Sequence, residues 1–433
     1  MSTPTTPTAR LPRQRVSLFD PPPDYRDLQV SDPVSPLVFP DGSSGWVVTR
    51  YDDVRALFAD PRFSSRRSFA MNPVRETPEE LRPYMEPEPG QFIGLDPPEH
   101  TRYRRLLTGQ FTVRRMRALE PRITEIVDQH LQAMRKAGPP CDLVGSFALP
   151  VPSLVICELL GVPYGDRALF QQRTRTLLSF ATEGPELLRA REELRAYMLE
   201  LVQSKRTEPD EHLLSALVHH DGEDRLDDEE LINIGLLLLV AGHETTANML
   251  GLGTLALLRH PAEMERLRAD PGLVDTAVEE LLRYLTIIQF GLVRVATEDV
   301  TMHDRSIRAG EPVVLSVPAA NRDPAHFPDP YRLDLGREPT GHLAFGHGVH
   351  QCLGQQLARV EMRTGFAHLL AALPGLRLAV PVEQVRMRDD MFIYGVKELP
   401  VSWDTGTGNT GHAGEAADMV DARGVADGGE GVG

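Results

Sequence analysis

The stretch that most constrains the fold is Asp227 to His260, which reads as one long helix. Asp227 and Glu230 have the spacing of a capping box, and Leu226 and Leu231 can close a hydrophobic staple around it. Its most apolar part, Ile234 to Gly242, is interrupted by His243 and Glu244 before it reaches the roughly 20 residues that a membrane span requires. The reading is a buried helix and no membrane anchor. At 433 residues the chain is long enough to bury it in a sizeable core.

In the middle of this helix stands AGHETT, Ala241 to Thr246. Gly242 and the threonines cost helix propensity, so the hexad looks like a device. Two readings stand. In one, the Thr245 hydroxyl bonds back to the Ala241 carbonyl and distorts the ladder. That opens a groove above a bound cofactor, with Glu244 beside it as a source of protons. In the other, the hexad is a buried polar kink with no chemistry. His243 lies roughly 200° around the helix from Thr245 and reads as a packing residue.

Elsewhere the pattern is mainly helical. Gly45 to Arg50 reads as a strand, Tyr51 onward as a helix that Pro61 stops, and Pro73 to Gly94 as a long surface loop. Helical patterns cover Leu119 to Lys136, Leu149 to Leu160, Leu187 to Lys205 and Leu273 to Leu285. Ile287 to Val295 is strand-like and is followed by alternating, hairpin-like sequence. Asn321 to Gly341 reads as a meandering ordered loop, Cys352 to Leu373 as a helix, and Val382 to Val401 as a last hairpin. The fold class is mainly α with a small β region (α+β). Residues 16–403 form a single large domain, 1–15 a disordered leader and 404–433 a disordered Gly/Ala/Asp-rich tail.

The net charge of −16 disfavours nucleic acid and anionic membranes as partners. The N-terminus lacks the apolar core of a secretory signal, which points to the cytoplasm. Three cysteines, Cys141, Cys157 and Cys352, are too few and too widely spaced for a disulfide framework or a CxxC zinc site. Cys157, inside LVICELLGVP, reads as a core thiol.

Cys352 is different. It lies in HLAFGHGVHQCLGQQLARVE, His342 to Glu361, where Gly346, Gly348 and Gly354 permit sharp turns and close approach to a flat ligand. At a helix N-terminus the thiolate is favoured, and a thiolate is what a metal needs. Phe345 can pack against the loop. Alone, the cysteine also admits nucleophile and redox readings. Two further motifs are ambiguous by themselves. His100 and Arg104, in DPPEHTRYRRLLTGQF, share a helix face at i and i+4, which a solvated basic face would also explain. Glu280 and Arg283 lie at i and i+3 among Val278, Leu281, Leu282 and Leu285, where a buried pair is structurally specific.

FGHGVHQCLG resembles the haem-binding loop of the cytochrome P-450 monooxygenases, with a complete match to FGxGxHxCxG. The resemblance extends from about Trp46 to Trp403. AGHETT is similar to that family's central helix, ELLR to its Glu-x-x-Arg pair and HTRYR to its propionate-binding helix. It implies that Cys352 is the axial ligand of haem b and that His100, Arg104, Arg294 and His350 hold the propionates. Ala241, Phe345 and Gly354 would line the haem, and Glu244 with Thr245 would form an acid–alcohol proton relay. It also implies that Glu280 and Arg283 form a structural pair, joined by Arg332.

The activity implied is insertion of one atom of O2 into a substrate. No flavin or iron–sulfur segment fits in this length, so electrons from NAD(P)H would arrive through a ferredoxin reductase and a ferredoxin. Arg102, Arg105, Arg359 and Arg363 are candidates for a local basic dock on a monomer. Phe92, Ile93, Val240, Ile288, Phe290, Leu292, Phe392 and Ile393 form an apolar candidate pocket, which points to a hydrophobic, fairly large small-molecule substrate. LLVAGHETTAN and LTIIQFGLVRVATEDV resemble actinobacterial members that oxidise macrolides, terpenoids, steroids and xenobiotics, favouring regioselective hydroxylation. The alternatives are a peroxide-driven peroxygenase and a non-catalytic haem sensor or carrier. Neither needs the acid–alcohol pair.

Overall fold

The computed structural model describes residues 9–66, 72–77, 79, 86–179, 182–222, 224–338 and 341–405. Its helices are α1 (Asp24–Ser31), α2 (Tyr51–Ala59), α3 (Glu99–Thr108), α4 (Val113–Ala137), α5 (Pro150–Leu160) and α6 (Arg167–Leu178). They continue with α7 (Gly184–Thr207), α8 (Leu213–Val218), α9 (Asp228–Arg259), α10 (Pro261–Ala269), α11 (Val274–Leu285), α12 (Val317–Ala320) and α13 (Gln355–Ala372). The strands are β1 (Val34–Val38), β2 (Ser44–Val48), β3 (Phe63–Ser64), β4 (Cys141–Asp142) and β5 (Leu292–Ala296). After them come β6 (Val300–Met302), β7 (Arg305–Ile307), β8 (Pro312–Leu315), β9 (Arg377–Leu378) and β10 (Pro400–Ser402).

α9 is the axis of the molecule. Its N-terminus is closed reciprocally: Glu230 N–H donates to Asp227 Oδ1 at 2.8 Å, and Asp227 N–H donates to Glu230 Oε2 at 2.9 Å. Leu226 and Leu231 are both buried beside this box. Glu230 does more than cap, since it also receives the Tyr103 hydroxyl at 2.7 Å and the Arg102 guanidinium. Helix α3 is thereby docked on the start of α9. α5, α7, α11 and α13 pack along the rest of α9 and share one apolar core with α4. Gly242 belongs to this packing, because a Cβ there would lie 2.8 Å from Ile156 Cδ1 of α5.

The β region is a five-stranded sheet in the order β1-β2-β8-β5-β3, with β2 and β8 parallel and the other pairs antiparallel. Its β-branched residues alternate between a core under α2 and a smaller cluster containing Leu11, Tyr25, Leu37, Phe39 and Phe290. β4, β10 and β9 form a second sheet, and β6 and β7 a hairpin.

The structure revises several sequence expectations. Residues 9–15 are not a loose leader: Leu11 is buried, Val38 N–H donates to the Ala9 carbonyl at 3.0 Å, and the Arg15 guanidinium lies 4.0 Å from the Tyr394 ring centroid. Apolar and aromatic partners hold this segment despite its charge. Residues 1–8 and 406–433, and 78 and 80–85 of the long loop, lie outside the described residues. α4 starts at Val113, capped by Thr112, so Pro121 sits inside the helix and not at its entrance. α13 starts at Gln355, three residues after Cys352. The segment 382–401 is not a regular hairpin. It is a loop pinned by the isolated bridges Met387↔Val396, Ile288↔Ile393 and Ser179↔Met391. Thr286 (φ 37°) ends α11, and residues 287–291 form an irregular approach to β5.

Candidate active site

Midway along α9 the burial pattern breaks. Leu237 and Thr245 are only partly buried and Ala241 is exposed, at i, i+4 and i+8, with Leu236, Val240 and Gly242 beside them also partly buried. These residues share one face, which the neighbouring elements leave uncovered. The Thr245 hydroxyl donates to the Ala241 carbonyl at 2.8 Å, within continuous α-helix. The next acid points elsewhere. Glu244 is buried, and its Oε2 accepts from Arg388 Nη1 at 3.0 Å and Asn248 Nδ2 at 3.3 Å.

The cysteine loop turns through Gly346 (φ 70°) and Gly348 (φ 73°). At Gly348 a Cβ would lie 2.6 Å from the Phe58 carbonyl oxygen, so only glycine fits against α2. Cys352 N–H donates to the Phe345 carbonyl at 2.9 Å, which closes the loop. Phe345 packs on the main core and carries the Arg359 guanidinium 4.6 Å from its ring centroid. Gly354 caps α13, with nothing within 4 Å of a Cβ placed there.

The Cys352 thiol can be reached by water, yet burial pushes its pKa up. Both hold for a sulfur on the wall of an enclosed cleft. The Gly354 and Gln355 amides and Arg104 and Arg359 act in the opposite sense without offsetting burial. A bound cation would complete the stabilisation of the thiolate.

His100, Arg104 and Arg294 gather around His350, and Arg104 also acts on the Cys352 sulfur. The His100 and His350 rings are 4.2 Å apart, and both ring nitrogens of His100 are buried without a partner. Burial, then His100 and Arg294, hold His350 down at about 3. Burial brings Arg294 to about 10 and lowers Arg104, with Cys352 opposing in the latter. Asp96 is the acid that faces Arg294 and His350, and its carboxylate also accepts from Ser65 N–H at 2.8 Å. The unpartnered His100 ring nitrogens and two arginines whose burial is not offset suit an anionic group with two or more carboxylates. Among the described residues no cluster of His, Cys, Asp and Glu could chelate a metal. An iron carried by a macrocycle and held by one thiolate fits this donor set.

Glu280 and Arg283 form a buried bidentate pair, Nε to Oε2 at 2.7 Å and Nη2 to Oε1 at 2.8 Å. Arg283 also donates to the Asn321 and Pro330 carbonyls, both at 2.9 Å. The side chain that joins from the meander is Arg337, 3.2 Å from Glu280, and not Arg332. Arg332 points its side chain to solvent and contributes its carbonyl, which accepts from Arg283 at 3.3 Å. Sequence reasoning also missed Glu279. It accepts from His342 at 3.1 Å and from Arg359 at 2.6 and 2.9 Å, tying both ends of the cysteine loop to α11. These bonds hold its carboxyl down at about 2 against the effect of burial.

The candidate pocket residues do not form one set. Val240, Ile288, Leu292 and Phe392 are partly open. Phe92 is buried in the main core beside His100, whereas Ile93 is 53% exposed. Phe290 turns into the small cluster beyond the sheet, and Ile393 is buried and bridged to Ile288. Phe92 and Ile93 are neighbours in a tight 3-10 turn, which sends their side chains in different directions. The four arginines expected as a dock are also revised, because each faces an acid. Arg102 pairs with Glu230, Arg105 with Asp224, Arg359 with Glu279 and Arg363 with Asp275. They do not make a net basic surface.

A helical body around α9, a peripheral sheet and a glycine-rich cysteine loop ahead of α13 make up the architecture that carries this site. The family model described as cytochrome P-450 matches residues 169–393. The chain is 47% identical over 413 residues to cytochrome P-450-SU2 of Streptomyces griseolus, covering 92% of this chain and 97% of the relative. It is 46% identical over 397 residues to pentalenic acid synthase of Streptomyces avermitilis, covering 90% and 96%. The solved structure of CYP105P1 in complex with filipin I superposes with a TM-score of 0.86 at 45% identity, covering 93% of this chain and all of that one. The chain belongs to the cytochrome P-450 family and is a monooxygenase whose cofactor is haem. No helix of the described residues is long and apolar enough to cross a membrane.

Proposed function

We propose that this enzyme hydroxylates a bulky, hydrophobic natural-product-type substrate, using haem b and electrons from a ferredoxin and its reductase. The observation that carries the reading is the accessible stripe Leu237, Ala241 and Thr245 on α9, apolar except for one hydroxyl. Such a wall holds a ligand by shape and leaves the polar group for the oxygen end. The relatives support it, since one is named for pentalenic acid and a structural neighbour was solved with filipin I.

In this reading Cys352 would hold the haem iron through its thiolate, and His100, Arg104, Arg294 and His350 would hold the propionates. Ala241, Phe345 and Gly354 would line the haem. Thiolate-ligated haem supplies O2 activation, because electron density from sulfur favours O–O cleavage. The chain's own residues must deliver protons and exclude bulk water. Thr245 presents its hydroxyl on the open face, and Glu244, one residue away, is the acid that resupplies it. Val240, Ile288, Leu292 and Phe392 are the residues through which the substrate is oriented.

The test is a ligand screen on the purified holoenzyme by spin-state shift, followed by turnover with ferredoxin, reductase and NADPH and identification of the product. Large terpenoid or macrolide ligands should give the tightest shifts. Tight binding confined to small polar compounds, or turnover with peroxide alone, would refute the reading.

A further inference from the structure

We infer that Arg388 is a positioning residue that parks the relay acid Glu244 and ties its release to occupancy of the substrate pocket. This rests on the acid–alcohol relay proposed above.

The geometry is specific. Arg388 and Glu244 are 6% and 1% exposed and meet at 3.0 Å across 144 residues of chain. Asn248, one turn on, donates to the Glu244 main-chain carbonyl at 2.7 Å and to Oε2 at 3.3 Å. The loop carrying Arg388 is seated on this spot, since a Cβ at Gly395 would fall 1.8 Å from Asn248 Oδ1. Its two arms are clasped by Arg388 N–H to the Gly395 carbonyl at 2.8 Å and by the Met387↔Val396 bridge.

The tip of the same loop carries Phe392 and faces Ile288. Tyr394 N–H donates to the Ile287 carbonyl at 2.8 Å, and Gln289 side chain bonds reach the Met391 and Asp389 carbonyls. A ligand that pushes Phe392 or Ile288 therefore pushes the loop holding Glu244.

The other side of Glu244 is unfinished. Its Oε1 is buried without a partner and lies 3.6 Å from His243 Nε2, which also has none. His243 Nδ1 is 3.0 Å from the Leu239 carbonyl, which can only accept, so the proton sits on Nδ1. A neutral His243 thus turns a lone pair toward the carboxylate, and only a second proton satisfies both atoms. Arg388, Arg175 of α6 and the protonated form of His243 are the charged or titratable groups that face Glu244, and they lower its pKa against the effect of burial. Thr245 meanwhile bonds to Ala241 and not to Glu244. In this conformation the acid is held away from the hydroxyl. Weakening the Arg388 contact frees it, and the loop provides the lever.

The test uses holoenzyme without substrate, driven by a plant-type [2Fe–2S] ferredoxin, its reductase and NADPH. Arg388→Gln should raise substrate-free peroxide release by roughly tenfold and give an infrared band of a protonated carboxyl at neutral pH. That band should vanish in Arg388→Gln/Glu244→Gln, and Arg388→Lys should restore most of the wild-type behaviour. If Arg388→Gln fails to fold, the neutral pair Glu244→Gln/Arg388→Met removes the unpaired charge. Its peroxide release should then lose the pH dependence of the wild type. Unchanged peroxide release and no carboxyl band in folded Arg388→Gln overturn the inference. If Glu244→Gln changes coupling with substrate while Arg388→Gln changes nothing, Arg388 falls and the relay stands. If Glu244→Gln also has no effect, both fall.

Discussion

Two of the buried Glu–Arg pairs among the described residues, Glu280–Arg283 and Glu244–Arg388, are built to opposite standards. At Glu280–Arg283 the carboxylate accepts from Arg283, Arg337 and the Asp334 amide, and the guanidinium donates to three main-chain carbonyls. At Glu244–Arg388 one carboxylate oxygen is shared by two donors, while the other and the nearby His243 Nε2 have no partner. The first is a finished joint between α11 and the meander. The second has spare valences beside an open helix face. A completed polar network fixes structure, whereas an incomplete one leaves a group that can change partners.

Breaking the cysteine loop should give the largest effect, whichever pair is intact. Cys352→Ala should abolish monooxygenase turnover and remove the red-shifted Soret band of the ferrous–CO complex. Persistence of that band would falsify the ligand assignment. Next, Arg283→Ala should cost about 3–5 kcal/mol of stability, because it strands a buried carboxylate. Urea denaturation measures this, and a loss under 1 kcal/mol would erase the contrast between the pairs.

Thr245→Ala should leave stability and haem content near wild type and lower the product formed per NADPH by roughly tenfold, with peroxide as the balance. Unchanged coupling removes Thr245 from the relay. Arg337→Ala should cost about 1–2 kcal/mol, as for a hydrogen bond to a charged group, while Arg332→Ala should stay within about 0.5 kcal/mol. The reverse order in urea midpoints would restore Arg332 as the joining residue.

The mildest probe is pH. Glu279 is depressed from 4.5 to about 2 in the folded state, so its contribution is fully present above about pH 4.5 and is lost as pH falls toward 2. Glu279→Gln should flatten the acid limb of stability in that window, read from denaturant midpoints at a series of pH values. An acid limb identical to wild type would show that the depressed carboxyl contributes nothing.

Local patterns in the chain carried much of this. The capping box at Asp227 and Glu230, the Thr245-to-Ala241 bond and the spacing of Glu280 and Arg283 are decided within four residues, where helix geometry leaves little choice. The gathering of His100, Arg104, Arg294 and His350 is not decided that way and followed from resemblance. What stayed illegible is tertiary. The parallel pairing of β2 with β8, the choice of Arg337 over Arg332 and the seat of Arg388 on α9 depend on how distant segments approach. Glu279 left one faint signal, its position beside Glu280, which puts a second carboxylate on the same helix about 100° away.

The N-terminal segment has a practical consequence for anyone preparing this enzyme. Leu11 fills the small cluster beyond the sheet, and Arg15 covers Tyr394 in the loop that carries Arg388. An expression vector trimmed to begin at Val16 would cut away both, and an affinity tag fused there would sit against the loop. A cleavable tag placed ahead of Ala9 leaves that brace whole.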